Sequence, residues 1–275
     1  MQCLTRKEQH ELVGDCLDIL PTLEEQSVHT CITSPPFWGL RDYQMVEQLG
    51  LEETPEEYVA NMVQVFSEVK RVLKNNGTLW LNLGDSYGKE KQLAGIPWRV
   101  AFALQADGWY LRQDIIWHKP NPMPEPVTDR CTKAHEYIFL LTKSKKYYYD
   151  HVAIKETSTC PQDKRRPLGS EGAWQMDGRK QGENGGGKPY EHDTTKKNKR
   201  SVWTVTPKAF KGAHFAVFPT ELITPCVLAG CPKGGIVLDP FAGAGTSGLV
   251  AKRLGCGFVG IELNPEYAEM ARTRI

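Results

Sequence analysis

The sequence predicts an α/β fold in which a mostly parallel sheet is covered by helices on both faces. Three observations predict it. Apolar runs of strand length alternate with stretches of helical periodicity through the N-terminal half, the pattern of strands joined by crossover helices. Glycine, asparagine or proline stands at the ends of these runs, where a strand must stop or a helix must cap. Near the C-terminus a strand, a glycine turn, a helix and a second strand follow one another between Gly235 and Glu262, one unit of a nucleotide-binding sheet. The 275 residues suffice for one such core, or for a core with one appended module.

Glu11–Gly14 reads as a short strand and Cys16–Gln26 as a short helix. Val28–Thr33 is a strand that stops at Ser34-Pro35-Pro36, because two prolines remove ladder donors. Pro55 opens a helix to about Lys74, with Val59, Met62, Val63, Phe66, Val69 and Leu73 on its apolar face and Asn76-Gly77 as its stop. Thr78–Leu83 is a buried strand, Pro97–Gln105 a helix, Tyr110–Trp117 a strand and Glu136–Thr142 a β-rich apolar run. From about Asp150 glycine and polar residues dominate, with Gly185-Gly186-Gly187 and a Lys/Arg run over Thr194–Arg200. Residues 150–205 therefore read as a basic insert between two parts of one core, 1–149 and 206–275; a loop of that length is usually functional. Order returns in a helical pattern over Phe218–Gly230. A strand at Gly235–Asp239, a helix at Thr246–Leu254, a strand at Phe258–Glu262 and a helix from Pro265 complete the chain.

Composition excludes several classes. The chain is 40% hydrophobic and 24% charged, close to a folded soluble average, so neither disorder nor a fibrous repeat fits. No run approaches the ~20 apolar residues of a membrane helix, and the start, Met1 to Glu11, is too polar for a signal peptide. The expectation is a cytoplasmic protein. Eight irregularly spaced cysteines without a C-x-x-C pair read as reduced, mostly buried thiols rather than a disulfide framework or metal site. Net charge is only +1, yet residues 151–214 hold thirteen Lys/Arg against seven Asp/Glu. A basic segment in an acidic remainder suits phosphate contacts.

Two motifs carry chemistry. In Asp239-Pro240-Phe241-Ala242-Gly243-Ala244-Gly245-Thr246-Ser247-Gly248, a glycine turn lets backbone approach a ligand and aims a helix N-terminus at it. Glu262, nineteen residues beyond Gly243, stands where an acid can hold both hydroxyls of a ribose. The glycines do not separate a dinucleotide from another adenosine ligand. Asp239 does: a carboxylate directly before the turn would repel a pyrophosphate but accept hydrogen bonds from an ammonium group. A cationic nucleoside cofactor fits better than NAD. The second motif, Thr33-Ser34-Pro35-Pro36-Phe37-Trp38, lies at the carboxyl end of a strand, the edge where open α/β sheets bind ligands. Ser34 Oγ and the Pro35 carbonyl can accept hydrogen bonds from the exocyclic amine of a planar base. Phe37 can stack on the ring, for roughly 1–3 kcal/mol.

With these residues the chain resembles the amino-group DNA methyltransferases of the permuted β class, in which the target-amine motif precedes the S-adenosylmethionine motif. The resemblance rests on Gly14-Asp15, TSPPFWGLRDY at 33–43, LNLGDSY at 81–87, WHKPNPMPEPVTDRCTKAHEYIFLLTKS at 117–144, HFAVFPTELI at 214–223, DPFAGAGTSG at 239–248 and GIELNPEYAEMA at 260–271. It implies a seven-stranded methyltransferase (Rossmann-like) sheet with a reversed hairpin and S-adenosyl-L-methionine as cofactor. That cofactor would contact Asp15 near the adenine, Thr33, Asp239, Phe241, Gly243, Gly245, Thr246 and Ser247 at the methionine end, and Glu262 at the ribose.

It further implies transfer of a methyl group to an amine of a nucleotide flipped out of double-stranded DNA. Ser34, Pro35, Pro36 and Phe37 would form the catalytic corner; Trp38, Arg41, Lys119 and His135 would touch substrate, Lys119, Arg130, Lys133 and His135 would border the cleft as phosphate contacts or as solvated surface, and no metal is needed. Residues 150–205 would read the target sequence; Trp174 and Trp203 within them read as buried aromatics of a small subdomain, with stacking on a ligand the alternative. Serine at the first motif position is commoner among cytosine-N4 enzymes, so cytosine N4 is expected, with adenine N6 the alternative. A cognate restriction endonuclease is a possible partner, and the protein is expected as monomer or homodimer. Carbon-5 methylation would need a thiolate; Cys226 follows a proline but lies in a helical apolar pattern and reads as core. A nicotinamide oxidoreductase and a catalytically dead DNA-binding protein are the competing classes. Neither accounts for both motifs.

Overall fold

β-Branched and apolar runs become strands, and amphipathic stretches become the helices that cover them. In chain order the elements are β1 (Gln9–Val13), α1 (Cys16–Ile19), β2 (Val28–Thr33), α2 (Pro55–Val72), β3 (Leu73–Leu83), α3 (Ile96–Ala106), β4 (Tyr110–His118), β5 (His135–Thr142), β6 (Glu156–Thr157), β7 (Lys196–Lys197), β8 (Val202–Thr204), α4 (Thr220–Gly230), β9 (Ile236–Asp239), α5 (Thr246–Arg253), β10 (Gly257–Glu262) and α6 (Pro265–Arg274). The structure is a computed structural model and describes residues 9–46, 48–158, 195–208 and 218–275. Trp174, the triple glycine, most of the basic insert, the polar start before Gln9 and the 214–217 part of HFAVFPTELI lie outside the described residues.

The main sheet has the order β1-β10-β9-β2-β3-β5-β4-β8. Its members run parallel except β5, which is antiparallel to both β3 and β4. The unit β9–α5–β10 steps outward from the centre one way and β2–α2–β3 steps the other way, so the β9/β2 boundary is a topological switch point. On one face, Tyr58, Met62 and Phe66 of α2 with Val100 and Leu104 of α3 share a core with Cys31, Leu79 and Phe139 of the sheet. On the other, Leu222 and Val227 of α4 and Val250 of α5 pack with Ile32, Trp80 and Phe258. The α/β class expected from the sequence holds.

Three local differences have physical causes. The sheet has eight strands rather than seven: Val202–Thr204 pairs in parallel with Ile116–His118 and buries Trp203 in the second core. Trp203 thus belongs to the core sheet, although it lies inside the segment expected as an insert. Helix α2 stops at Val72, because Leu73 already has extended geometry, φ −68° and ψ 139°. Asn76-Gly77 then lies within β3. A Cβ at Gly77 would come 2.9 Å from the Lys74 carbonyl oxygen and 3.1 Å from that of His29, so this glycine serves a close backbone approach, not a cap. The helix expected over Cys16–Gln26 shortens to α1 plus a single 3₁₀ turn at Leu20–Thr22, where Pro21 lacks the N–H a continuing helix would need.

Gly248 shows how tightly α5 lies on the sheet: a Cβ there would stand 2.3 Å from Ile275 Cδ1 and 2.7 Å from the Phe258 ring. Gly248→Ala is expected to lower stability by roughly 1–2 kcal/mol, overpacking outweighing the gain in helix propensity. A lowered urea midpoint at unchanged slope is the measurement; an unchanged midpoint would show that α5 lifts off β10 freely.

Candidate active site

The carboxyl ends of β2, β3, β4, β9 and β10 and the start of the reversed strand β5 lie along one edge of the sheet. There they enclose a cavity of about 820 Å³, the volume range of small-molecule sites. Ser34, Pro35, Pro36 and Phe37 wall it on one side; Asp239, Phe241, Gly243 and Thr246 wall it on the other. The two motifs therefore face one space. Asp15, Arg41, Lys119 and Glu262 also line it, whereas Thr33, Trp38, His135, Gly245 and Ser247 do not.

A buried carboxylate joins the motifs. Asp239, the last residue of β9, accepts from Thr33 Oγ1 at 2.6 Å, from Ser247 Oγ at 2.6 Å and from the Phe241 backbone N–H at 3.1 Å. Thr33 and Ser247 thus act on the cavity by holding Asp239. Burial pushes the Asp239 carboxyl up to about 6, against the pull of its three donors. With three of its roughly four acceptor positions filled, one remains for a ligand.

Glu262 ends the neighbouring strand. Its Oε2 accepts from Gly243 N at 2.8 Å and its Oε1 from Asn264 N at 2.9 Å, which leaves each oxygen an acceptor position. Burial raises its carboxyl above the usual range, opposed by those two backbone donors. Behind them, Glu11 reaches over Gly260, where a Cβ would come 2.3 Å from Glu11 Oε2. Burial first, then nearby Asp239 and Glu262, push Glu11 up to about 8. Asp239 and Glu262, which both line the cavity, make this half of the site favourable to a cation, while Glu11 stays behind them. The glycine bend takes positive φ at Gly243 (53°) and Gly245 (73°), geometry that a residue with a Cβ adopts only under strain. Asp15 caps α1, accepting from Leu17 N at 2.8 Å.

The opposite half is the diproline corner. Fully buried Tyr58 donates its hydroxyl to the Pro36 carbonyl at 2.9 Å, pinning the turn from beneath. No described residue donates to the Pro35 carbonyl. The Phe37 ring lies against Gly84, where a Cβ would stand 2.5 Å from Phe37 Cε2. Ser34 Oγ donates to Asn82 Oδ1 at 3.1 Å, and Asn82 Nδ2 donates to Glu136 Oε2 and to the Tyr137 carbonyl, both at 3.1 Å. Glu136 in turn accepts from Lys119, whose ammonium also lies 4.4 Å from the Trp117 ring centroid.

Several expected contacts lie elsewhere. Trp38 turns away from the cavity, donating its indole N–H to the Glu52 carbonyl at 3.0 Å. His135 sits edge-on to Tyr137 at 5.3 Å, its imidazole pKa lowered mainly by burial and then by Lys133. Arg130 pairs with Glu125 at 2.9 Å, and Lys133 lies 3.7 Å from Asp85. Cys226 is buried in the second core with its thiol raised by burial and does not line the cavity. Sequence reasoning assigned no role to Asn82, Glu136, Tyr58 or Gly84. The signal available for Asn82 was an amide within an otherwise apolar strand. Among the described residues, no three His, Cys, Asp or Glu side chains converge as metal ligands would, and no helix is long and apolar enough to cross a membrane.

Comparison with known proteins agrees with this geometry. The DNA methylase family model matches residues 28–273. The Type II methyltransferase M.Cfr9I of Citrobacter freundii is 45% identical, with 95% of this chain and 86% of that protein aligned. M.SmaI of Serratia marcescens is 44% identical over 96% and 89%. Among solved structures, the PvuII DNA methyltransferase (cytosine-N4-specific) shares the fold at a TM-score of 0.72 and 20% identity, covering 98% of this chain and 87% of that one. A putative DNA modification methylase of Thermus thermophilus, complexed with S-adenosyl-L-methionine, matches at a TM-score of 0.63 and 26% identity, covering 97% and 94%. With a family match across most of its length and relatives of this identity, the chain belongs to the DNA methylase family.

Proposed function

We propose that the chain transfers a methyl group from S-adenosyl-L-methionine to the exocyclic N4 amine of a cytosine flipped out of double-stranded DNA. One observation carries the reading: the Ser34–Phe37 corner and the Asp239–Thr246 bend wall a single cavity. The residues present fit the cofactor. Asp239 and Glu262 retain acceptor positions for an ammonium group and for ribose hydroxyls, Asp15 lines the same space, and the bend permits close backbone approach. Bound there, the cofactor would supply a methyl group already activated by its cationic sulfur.

The chain's own residues then make the amine reactive. An aromatic amine is a weak nucleophile, because its lone pair is delocalised into the ring. Ser34 Oγ and the Pro35 carbonyl accept its two hydrogens, hold electron density on nitrogen and orient it. Positive charge that develops on nitrogen meets the same acceptors, and the surplus proton leaves to water. Phe37, backed by Gly84, receives the base, which must leave the duplex before its amine is accessible.

Cytosine is favoured by the serine at the first motif position, and the PvuII enzyme of the same fold carries a cytosine-N4-specific name. Adenine N6 is the second reading, since the acceptors at Ser34 and Pro35 suit either amine. Arg41 at the cavity wall and the basic segment 150–205 are the proposed DNA contacts, with target readout in the latter. A DNA substrate and the Type II relatives support a cytoplasmic location and a cognate restriction endonuclease as companion.

Three outcomes are expected. Digesting enzyme-treated DNA to nucleosides should reveal N4-methylcytosine by mass; N6-methyladenine instead would overturn the base assignment while keeping methyl transfer. Ser34→Ala should lower kcat on the order of 10²–10³-fold with little change in cofactor affinity, and loss of cofactor binding instead would remove Ser34 from the amine. Cofactor affinity should rise as pH increases through about 6 and then level, because a bound cation favours the ionised Asp239. Asp239→Asn should flatten that dependence in calorimetric titrations between pH 5 and 8; a profile unchanged by the substitution would sink Asp239's role.

A further inference from the structure

The proton of the Ser34 hydroxyl is not free to choose a direction. Asn82 is 4% exposed, and its amide nitrogen faces Glu136 Oε2 and the Tyr137 carbonyl, each at 3.1 Å. A backbone carbonyl only accepts, and so does an ionised carboxylate. Turning the amide over would set Asn82 Oδ1 against two oxygens, so the nitrogen stays where it is and Oδ1 faces Ser34 at 3.1 Å. That oxygen cannot donate, and Ser34 gives its one proton to it. Only lone pairs are left on the cavity side. At the far end Lys119 donates to Glu136 Oε1, which leaves Oε2 to Asn82.

We infer that the Lys119–Glu136 pair, acting through Asn82, is a positioning device that makes Ser34 an obligate hydrogen-bond acceptor and so selects an exocyclic amine over a carbonyl. Cytosine offers N–H at its 4-position, and the Ser34 lone pairs accept it. Uracil and thymine offer a carbonyl oxygen there, which meets lone pairs and leaves two acceptors unsatisfied, an arrangement sites reject strongly. Glu136 and Lys119 line the cavity but work through the serine. Lys119, expected from the sequence to contact substrate, is on this account committed to Glu136. The inference rests on the methyl-transfer reading above and adds to it the origin of discrimination between amine and carbonyl.

Glu136→Gln tests it without changing side-chain size. Lys119 draws the new amide's oxygen to itself, so its NH₂ group faces the Asn82 nitrogen and favours reversal of the Asn82 amide. Ser34 then keeps its proton for the cavity. After the recognition sequence has been mapped by sequencing DNA methylated by the enzyme, enzyme bound to S-adenosylhomocysteine is titrated with two duplexes that carry it with cytosine or uracil at the target position. The cytosine-to-uracil affinity ratio of each variant is compared with that of the unsubstituted enzyme, so differences in base pairing cancel. Glu136→Gln should lower the ratio at least about tenfold and lower kcat, with cofactor affinity and melting temperature retained. In Lys119→Met/Glu136→Gln the glutamine oxygen is free to turn back to Asn82, and part of the ratio should return. An unchanged ratio in folded Glu136→Gln enzyme, or an equal loss in the single and double variants, would overturn the inference. Absence of any methylated nucleoside with the unsubstituted enzyme would instead overturn the methyl-transfer reading.

Discussion

Two hydroxyls and a backbone amide hold a buried carboxylate, and that group ties together the two motifs that wall the cavity. Asp239 sits at the β9/β2 boundary with Thr33 on one side and Ser247 on the other. A buried carboxylate without donors would cost several kcal/mol; here three donors offset that cost and are held in place by it. Thr33 and Asp239 are 206 residues apart in the chain, and their bond carries the diproline corner and the glycine bend to a common edge. Fold and site meet at this point. The two crossovers diverge from it, which opens the crevice that their loops then line.

Both motif walls of that crevice present acceptors among apolar side chains. Asp239 and Glu262 keep unused acceptor positions on one side, and Ser34 and Pro35 offer oxygen lone pairs on the other. Such acceptors suit ligand groups rich in N–H, O–H and positive charge. The carboxyl groups of Glu11, Asp239 and Glu262 are all raised, chiefly by burial, with neighbouring carboxylates adding to the shift at Glu11 and Glu262. Arginine and lysine are largely absorbed in local pairs near this edge, as with Arg130 on Glu125 and Lys119 on Glu136.

Much of this was legible in the sequence because it is written in local periods. The buried run at Val28–Thr33 and the spacing of Met62, Phe66 and Val69 follow from side-chain geometry within one element, whereas Tyr58 and not Val59 turns into the core. Strand β8 escaped notice because three residues are too short for a period, and pairing with Ile116–His118 supplies what Val202–Thr204 lacks. Trp38 and His135 stand beside motif residues in sequence but do not line the cavity: Trp38 lies in a turn whose indole is bound to the Glu52 carbonyl, and His135 precedes Glu136 on β5, where neighbours point to opposite sides. Asn82, Glu136 and Tyr58 were invisible as functional residues for the converse reason: their partners come from other strands and helices.

What the sequence determined by itself was the inventory: the α/β class, most element bounds, the two motifs and the kind of ligand each suits. These depend on residue type and on spacing along the chain, both of which are local. Tertiary structure decided which groups share a space and which way their protons point. A hydrogen bond between Thr33 and Asp239, or an amide held by strand β5, is set by register across the sheet, and no span of the linear chain contains both partners.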